Sequence, residues 1–184
     1  MSYAHMSSRQ FVISLAIMAS IVIGSNILVQ YPINHWLTWG ALSYPVSFLV
    51  TDLLNRRFGP TAARRIVYIG FAAAVLISIG LATPRIALAS GTAFLLAQLT
   101  DITVFDRLRH QHWWRAPFIG GAAGATLDTV VFFFIAFVGT GVHWQALIVG
   151  DLAVKLAVNL FMLAPFRALM WNLARPEGSP REAR

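Results

Sequence analysis

Long apolar runs alternate with short polar connections along this chain. Six runs are long enough to cross a bilayer, which takes about 20 residues, or about 17 at the short end. They cover residues 11–31, 36–54, 66–82, 86–105, 117–138 and 144–165. This pattern predicts an all-α membrane protein, a bundle of six transmembrane helices.

The composition agrees with a membrane protein and argues against a soluble one. Hydrophobic residues make up 58% of the 184 residues and charged residues only 11%, whereas soluble domains carry about 25% charged residues. The mean hydropathy is +0.68. Because the chain has no cysteine, it can form neither disulfides nor cysteine-ligated metal sites.

The basic residues predict the orientation. With six spans, 12 of the 14 basic residues fall on one side, Arg85 falls on the other, and Lys155 lies within a span. The positive-inside rule then puts both termini in the cytoplasm. The net charge of +7 sits in short loops at the ends of apolar runs. It therefore serves as a topology signal, and we expect no nucleic-acid partner.

Three regions divide the chain. We expect residues 1–9 to form a disordered tail, residues 10–175 to form one transmembrane domain, and residues 176–184 to form a disordered cytoplasmic tail. Small residues are dense in the third to fifth spans, so helix backbones can approach closely there, and these faces allow a homodimer.

Five ionisable side chains interrupt the apolar runs. A charge at the centre of a membrane helix costs roughly 2.5–3.5 kcal/mol, so each needs an internal partner or a function. The five are Asp52, Asp101, Asp128, Asp151 and Lys155.

The last two spans carry the deepest of these charges. Asp151, Lys155 and Asn159 are spaced i, i+4, i+8 and share one helix face. This face holds a self-neutralising ion pair or lines a cavity, and the cost of a lipid-facing pair favours the cavity. Asp128 has no charged neighbour in sequence, so it is protonated, meets Lys155, or meets a ligand.

The second and fourth spans carry polar side chains near their inner ends. Asp52 lies four residues before Arg56, so either a surface ion pair or a functional role could explain it. Thr51, directly before Asp52, belongs to a polar edge of the same span. We take Thr51, Asp52 and Arg56 as structural or gating residues. Asp101 follows Gln98 by three residues on one face, which is harder to explain as a surface pair.

Sequence signatures of enzymes are missing. The chain has no Walker A loop, HExxH or GxSxG motif, so we expect neither ATP hydrolysis nor a recognisable protease, and we expect no cofactor or metal. A membrane enzyme that uses paired aspartates is conceivable, yet nothing in the sequence requires one.

Several segments together resemble one transporter family. They run in order from about residue 20 to residue 170. They are residues 25–30 (SNILVQ), 38–41 (TWGA) to Pro45, 51–54 (TDLL) to Phe58-Gly59, 97–99 (AQL) with Asp101 and Val104-Phe105, Trp113-Trp114, Asp128-Thr129, and Asp151 with Lys155. The ordered set resembles the queuosine-precursor transporters, also called the VUT family.

This resemblance implies a function and a set of binding residues. The family imports 7-cyano-7-deazaguanine and 7-aminomethyl-7-deazaguanine for queuosine salvage, in the bacterial inner membrane and without hydrolysing ATP itself. A carboxylate can accept two hydrogen bonds from the guanine-like edge, an amide or ammonium can donate to its carbonyl, and aromatic rings can stack on the base. The candidates are Asp101, Asp128 or Asp151 for the first role, Asn26, Gln98 or Lys155 for the second, and Trp39, Tyr44, Phe48 and Phe132 for stacking.

The alternative is a substrate-binding subunit of an energy-coupling-factor-like importer, which needs a partner ATPase. The chain also departs from the family's pattern. The outer connection after the third span shrinks to Thr83-Pro84-Arg85, which makes an external lid from this loop doubtful. Some members carry an extra Asn or Ser before the Asp-Thr pair, where this chain has residues 124–127 (GATL).

Overall fold

A computed structural model describes residues 3–28, 31–34, 37–43, 45–78, 84–141 and 144–173 of the chain. These residues form a helical bundle with one short β-hairpin. The elements, in chain order, are α1 (Ser8–Leu28), β1 (Pro32–Asn34), β2 (Leu37–Thr38), α2 (Trp39–Ser43), α3 (Val46–Phe58), α4 (Pro60–Ser78), α5 (Pro84–Leu108), α6 (Arg115–Phe137) and α7 (Trp144–Leu173).

Six long helices occupy the positions of the six apolar runs, so the expectation of a helical bundle is confirmed. Four segments of the described residues are long and apolar enough to cross a membrane, namely Ser8–Ser25, Pro84–Leu108, Arg115–Phe137 and Leu147–Met170. The chain is therefore a multi-pass membrane protein. The count of six spans and the cytoplasmic placement of both termini remain predictions.

The second apolar run differs from the continuous helix expected for residues 36–54. It begins as β2, which pairs antiparallel with β1, and continues into the five-residue helix α2. A separate helix, α3, then starts after Pro45. Proline has no backbone N–H and a fixed φ, so it suits the first turn of a helix and interrupts a continuous one.

Helices α3 and α4 are joined by a single residue outside both elements. Gly59 has φ = 85°, a left-handed conformation that costs a glycine little, and Pro60 starts α4 directly after it. The ring of Tyr3 covers this turn, since a Cβ built on Gly59 would lie 2.8 Å from Tyr3 Cδ2. This turn places the N-terminal segment against the end of the bundle.

Residues 3–7, before α1, contain no helix or strand, but they make defined contacts. Tyr3 receives a hydrogen bond from Arg109 at 2.5 Å, and Ala4 N–H donates to the carbonyl of Arg57. The expectation that residues 1–9 form a disordered tail stays a prediction, and α1 already begins at Ser8. The C-terminal tail, 176–184, lies outside the described residues.

Two apolar clusters hold the helices together. In the first, side chains of α1, α3, α4 and α5 meet around Met18, Ile66 and Ile102, which have no exposed surface. In the second, Phe105 of α5 meets Phe166 of α7 edge-to-face, with ring centroids 6.1 Å apart. The second cluster fixes α7 against α5 near the inner end predicted from the basic residues.

Helix α6 packs closely against α5 because its facing positions are glycines. A Cβ built on Gly124 would lie 2.8 Å from the ring of Phe48 and 3.0 Å from the carbonyl oxygen of Ala97. A Cβ on Gly121 would overlap Asn159 Oδ1 on α7. Small residues on α6 thus let both neighbouring helices approach its backbone, as membrane helix interfaces commonly require.

Substitution of these glycines tests the close approach. We expect Gly124→Ala to lower the free energy of unfolding by about 1–3 kcal/mol, because the added methyl overpacks the α5–α6 contact. Gly150→Ala in α7 is the matched control, since no atom lies within 4 Å of a Cβ built there. It should change stability by no more than about 1 kcal/mol, and in the stabilising direction. Equal effects of the two substitutions, measured by unfolding in detergent, would contradict this packing.

Candidate functional site

The lysine of α7 lies at the centre of a buried charged cluster between α6 and α7. Lys155 Nζ is 2.8 Å from Asp128 Oδ2 and 2.5 Å from Asp151 Oδ2. It also donates to the hydroxyl of Thr129 at 3.1 Å, and this hydroxyl donates to Asp151 Oδ2 at 2.8 Å. We call these four side chains the Lys155 cluster.

Helical spacing brings the cluster together. Asp151 and Lys155 are one turn apart on α7, and Asp128 and Thr129 are adjacent on α6, which faces α7. The three N–H donors of the ammonium therefore each have an acceptor. Two carboxylates around one ammonium leave a formal charge of −1. Asp151 has 21% of its side chain exposed, against 8% for Asp128, so it is the more accessible carboxylate.

A second polar group fills the contact between α3 and α5. Gln98 Nε2 donates to Ser47 Oγ at 2.9 Å. The hydroxyl of Thr51 lies 2.7 Å from Gln98 Oε1 and 2.9 Å from the carbonyl oxygen of Ser47. All three side chains are fully buried. Because each polar atom has a partner within the group, this polar layer fixes the two helices in register at little net cost.

Two carboxyl groups lie one turn further along the same contact. Asp52 of α3 is 4% exposed and Asp101 of α5 is fully buried. The hydrogen bonds from Thr51 to Gln98 and from Asn55 to the carbonyl of Ile102 join these turns of α3 and α5, so the two carboxyl groups face each other across the contact. Among the described residues, no hydrogen-bond donor meets either oxygen of Asp101 or Oδ1 of Asp52. This carboxyl pair is thus unlike the Lys155 cluster, in which both acids pair with a cation.

Helix α6 and a small cleft enclose the carboxyl pair from two sides. A Cβ built on Gly120 would lie 2.5 Å from Asp101 Oδ1, so the backbone of α6 covers that carboxyl directly. Asp52 instead lines a cleft between α3, α6 and α7, together with Asn159 and apolar side chains. Asn159 donates to the carbonyl of Phe118, which holds its amide at the cleft.

An arginine crosslinks the C-terminal ends of α3 and α5. Arg109 Nη2 donates to the carbonyl of Asn55 at 2.7 Å, and Arg109 Nη1 donates to Asp106 Oδ1 at 2.8 Å. Arg56 in turn donates to the carbonyl of Arg109 at 2.7 Å. The alternative of a surface ion pair between Asp52 and Arg56 is wrong, because Asp52 is buried and Arg56 bonds to Arg109.

The residues predicted from sequence therefore fall into two groups instead of one pocket. Asp128, Asp151 and Lys155 meet in the Lys155 cluster. Thr51, Asp52, Gln98 and Asp101 lie along the α3–α5 contact, and Arg56 lies at its end. Of the three possibilities for Asp128, the structure shows the contact with Lys155.

The aromatic candidates are dispersed. Trp39 is 52% exposed, and Phe48 is buried against Gly124. Phe132 is half-buried and packs on the rings of Phe133 and Phe137 at 5.4 and 6.2 Å. Tyr44 and the side chain of Asn26 lie outside the described residues.

Several members of both groups were not among the binding residues predicted from the sequence. Thr129 bridges Asp151 and Lys155, and Ser47 completes the polar layer. Their hydroxyls are common in apolar helices, so only the contact distinguishes them. Asn159 did carry a signal, since it shares the face of Asp151 and Lys155. The role of Arg109 had no signal in the sequence beyond its place among the loop arginines. Its partners are mostly backbone carbonyls of another helix.

Comparisons with known proteins agree with this arrangement of a membrane bundle with a polar interior. Residues 38–170 match the family described as "Putative vitamin uptake transporter". The chain is 34% identical to a protein of Escherichia coli (strain K12) named "Queuosine precursor transporter", over 83% of this chain and 82% of that protein. It is 31% identical to a "Probable queuosine precursor transporter" of Haemophilus influenzae, over 83% of each chain. No solved structure matches it.

A third relative, from Bacillus subtilis, is 27% identical over 68% of each chain and is also named "Probable queuosine precursor transporter". All three relatives are named transporters. This supports the expectation that the chain is not an enzyme.

A double-mutant cycle tests the Lys155 cluster. We expect Lys155→Met to lower the free energy of unfolding by about 3–5 kcal/mol, because it leaves two buried carboxylates without their cation. Asp128→Asn should cost less, since Asp151 still neutralises the lysine. The double variant should cost less than the sum of the two, with a coupling of about 0.5–3 kcal/mol. Additive effects in detergent unfolding would contradict a direct ion pair.

Proposed function

The chain belongs to the vitamin uptake transporter family, and we propose that it imports queuosine precursors across the bacterial inner membrane. The substrates we propose are 7-cyano-7-deazaguanine and 7-aminomethyl-7-deazaguanine. The observation that carries the proposal is the Lys155 cluster, a buried group of two carboxylates, an ammonium and a hydroxyl between two apolar helices. Relatives that match 83% of this chain in sequence are named for this substrate class.

The chemistry of the cluster suits a guanine-like base. Asp128 and Asp151 are acceptors for the ring N–H and amine of the base edge, and Lys155 is a donor for the adjacent carbonyl. In the described state these groups satisfy one another. A bound base would replace part of that network, so the substrate would compete with the internal ion pair and not simply fill an empty space.

Asp151 is the carboxylate best placed to meet the substrate first. It retains more exposure than Asp128, and it shares its oxygen Oδ2 between Lys155 and Thr129. Asp101 is a weaker candidate for the base edge because Gly120 covers its carboxyl. Gln98 is engaged with Ser47 and Thr51, which favours a role in holding α3 against α5.

Transport requires the cluster to open alternately to the two sides. We propose alternating access, in which exchange of the partners of Lys155 accompanies the movement of α7 relative to α6. The distribution of arginines supports placement of both termini in the cytoplasm. Arg109 and Arg56 would then close the inner ends of α3 and α5, and their hydrogen bonds to backbone carbonyls would break and re-form during the cycle.

Uptake by cells tests this proposal. In a bacterial strain that cannot make the precursors, expression of the chain should restore queuosine in tRNA, as measured by mass spectrometry of digested tRNA. Asp128→Asn and Lys155→Ala should each reduce this restoration by at least about tenfold, because loss of one charge-assisted contact costs at least about 1.4 kcal/mol. Thr126→Val is the matched control, since this exposed hydroxyl bonds only within its own helix.

Purified protein in liposomes separates the proposal from its alternative. Uptake of labelled precursor without ATP would support an autonomous transporter. Substrate binding without uptake, with uptake appearing only when a partner ATPase complex is supplied, would favour the binding-subunit alternative. Normal uptake by both cluster variants, with each present in the membrane at wild-type level, would overturn the assignment of the site.

A further inference from the structure

In the part of the chain that the structure describes, four buried side-chain oxygens at the α3–α5 contact have no hydrogen-bond donor. They are Oδ1 of Asp52, Oδ1 of Asn55, and both carboxyl oxygens of Asp101. Asp101 and Asn55 are fully buried and Asp52 is 4% exposed. Buried acceptors are nearly always satisfied in proteins, and an unpaired one costs about 1–3 kcal/mol, more when it is charged. These four oxygens therefore require a hydrogen-bond donor that the described residues do not supply.

A cation from the protein does not supply it. Among the described residues, no Arg or Lys forms an ion pair with Asp52 or Asp101, and most of the charged side chains on the packed elements have other partners. Arg56 donates to the carbonyl oxygen of Arg109, and Arg64 donates to Thr103 Oγ1. Arg65 lies over the ring of Phe11, and Arg57 lies over the ring of Phe58. Lys155 pairs with Asp128 and Asp151. On α5 itself, Arg109 bonds to Asp106 and Arg85 bonds to carbonyl oxygens of α6 and its end.

A metal ion is also poorly accommodated. The described residues contain no group of three or more His, Cys, Asp or Glu side chains that could hold one. Gly120 brings the α6 backbone against Asp101 Oδ1, so little space remains on that side for an ion and its remaining ligands. Hard cations take six or more oxygen ligands, whereas a proton needs only two oxygens at hydrogen-bonding distance.

We propose that Asp52 and Asp101 share one proton and form a proton-binding site. One carboxyl is then neutral and donates to the other, so the pair carries one negative charge instead of two. Two like charges in contact in a low-dielectric site cannot both ionise, as in other buried carboxyl dyads. The shared proton satisfies an oxygen on each side, and its titration belongs to the pair as a unit.

The geometry also gives the proton a route. Asp101 is covered by Gly120, while Asp52 lines the cleft between α3, α6 and α7 that Asn159 also lines. Exchange with water would therefore pass through Asp52. Asn159 lies on the same face of α7 as Lys155, one turn away, so the cleft and the Lys155 cluster share a helix.

This position connects the proton to the transport cycle, an extension that rests on the proposed function. A movement of α7 that admits substrate at Lys155 also moves Asn159 at the cleft. Release of the proton to the cytoplasmic side after each cycle would couple substrate entry to the proton gradient. The proton site itself does not depend on which substrate is carried.

Infrared spectroscopy of the purified protein tests the site without any substrate. At neutral pH we expect the wild-type protein to show a protonated-carboxyl band that shifts in D2O. Asp101→Asn and Asp52→Asn should each lose it, because the amide replaces the neutral partner and leaves the other carboxyl ionised. Asp106→Asn is the control, since this carboxyl is accessible and paired with Arg109. A band that persists in both pair variants would overturn the proposal.

Thermal unfolding provides a second measurement. Raising the pH removes the shared proton and leaves two negative charges in contact, so the melting temperature of the wild-type protein should fall in alkali. Asp101→Asn has one charge fewer and should show a smaller fall. Stabilisation of the wild-type protein by Na⁺ over choline, lost in Asp101→Asn, would instead identify a cation site and overturn the proton assignment.

Liposomes that contain the purified protein test the coupling. An inward proton gradient should increase precursor accumulation by the wild-type protein several-fold, and Asp101→Asn should lose this response. Wild-type uptake that ignores the gradient would overturn coupling. If the infrared band is present but no precursor is transported under any condition, the proton site stands and the proposed function fails.

Discussion

Close approach of helix backbones at α6 is the constraint on which the remaining structure depends. Lipid tails are as apolar as the side chains they would replace, so helices in a membrane associate through packing and polar contacts. Gly120 and Gly124 admit α5, and Gly121 admits Asn159 of α7. If α6 carried larger side chains at these positions, Asp101 could not lie under its backbone. The Lys155 cluster also depends on this approach, since Lys155 of α7 must reach two residues of α6.

The interior charges are accommodated in two different ways. In the Lys155 cluster, one cation is surrounded by two acids and a hydroxyl, and each ammonium donor has an acceptor. Within the described residues, the acids of the carboxyl pair have no cation, and three of their oxygens and Asn55 Oδ1 have no hydrogen-bond donor. A polar layer of Ser47, Thr51 and Gln98 lies beside the pair and is internally satisfied. Polar side chains that satisfy one another and carboxyl groups that lack donors thus lie next to each other on α3 and α5.

Sequence could predict the helices and the existence of interior charges, because hydropathy and the cost of burial are local properties of a run. It also indicated that Asp128 could meet Lys155, because α6 and α7 are consecutive. It could not predict that Asp52 meets Asp101, since their helices are separated by α4 and the pairing is set by helix packing. The division of the second run at Pro45 was missed because its hydropathy continues across the break. The contacts of Arg109 were missed because every residue has a backbone carbonyl, so the sequence does not indicate which one accepts a hydrogen bond.

The partners in the Lys155 cluster lie on successive helices, and this has a consequence for biogenesis. Synthesis from the N-terminus delivers α6, with Asp128, before the ribosome has made Lys155. During that interval Asp128 lacks the lysine that pairs with it, and its helix enters the membrane through its apolar residues. Asp151 precedes Lys155 by a single turn, so that acid and its cation emerge together. The order of synthesis therefore leaves Asp128 without Lys155 until α7 has been made. Insertion of α7 then completes the bundle and supplies the cation that pairs with Asp128.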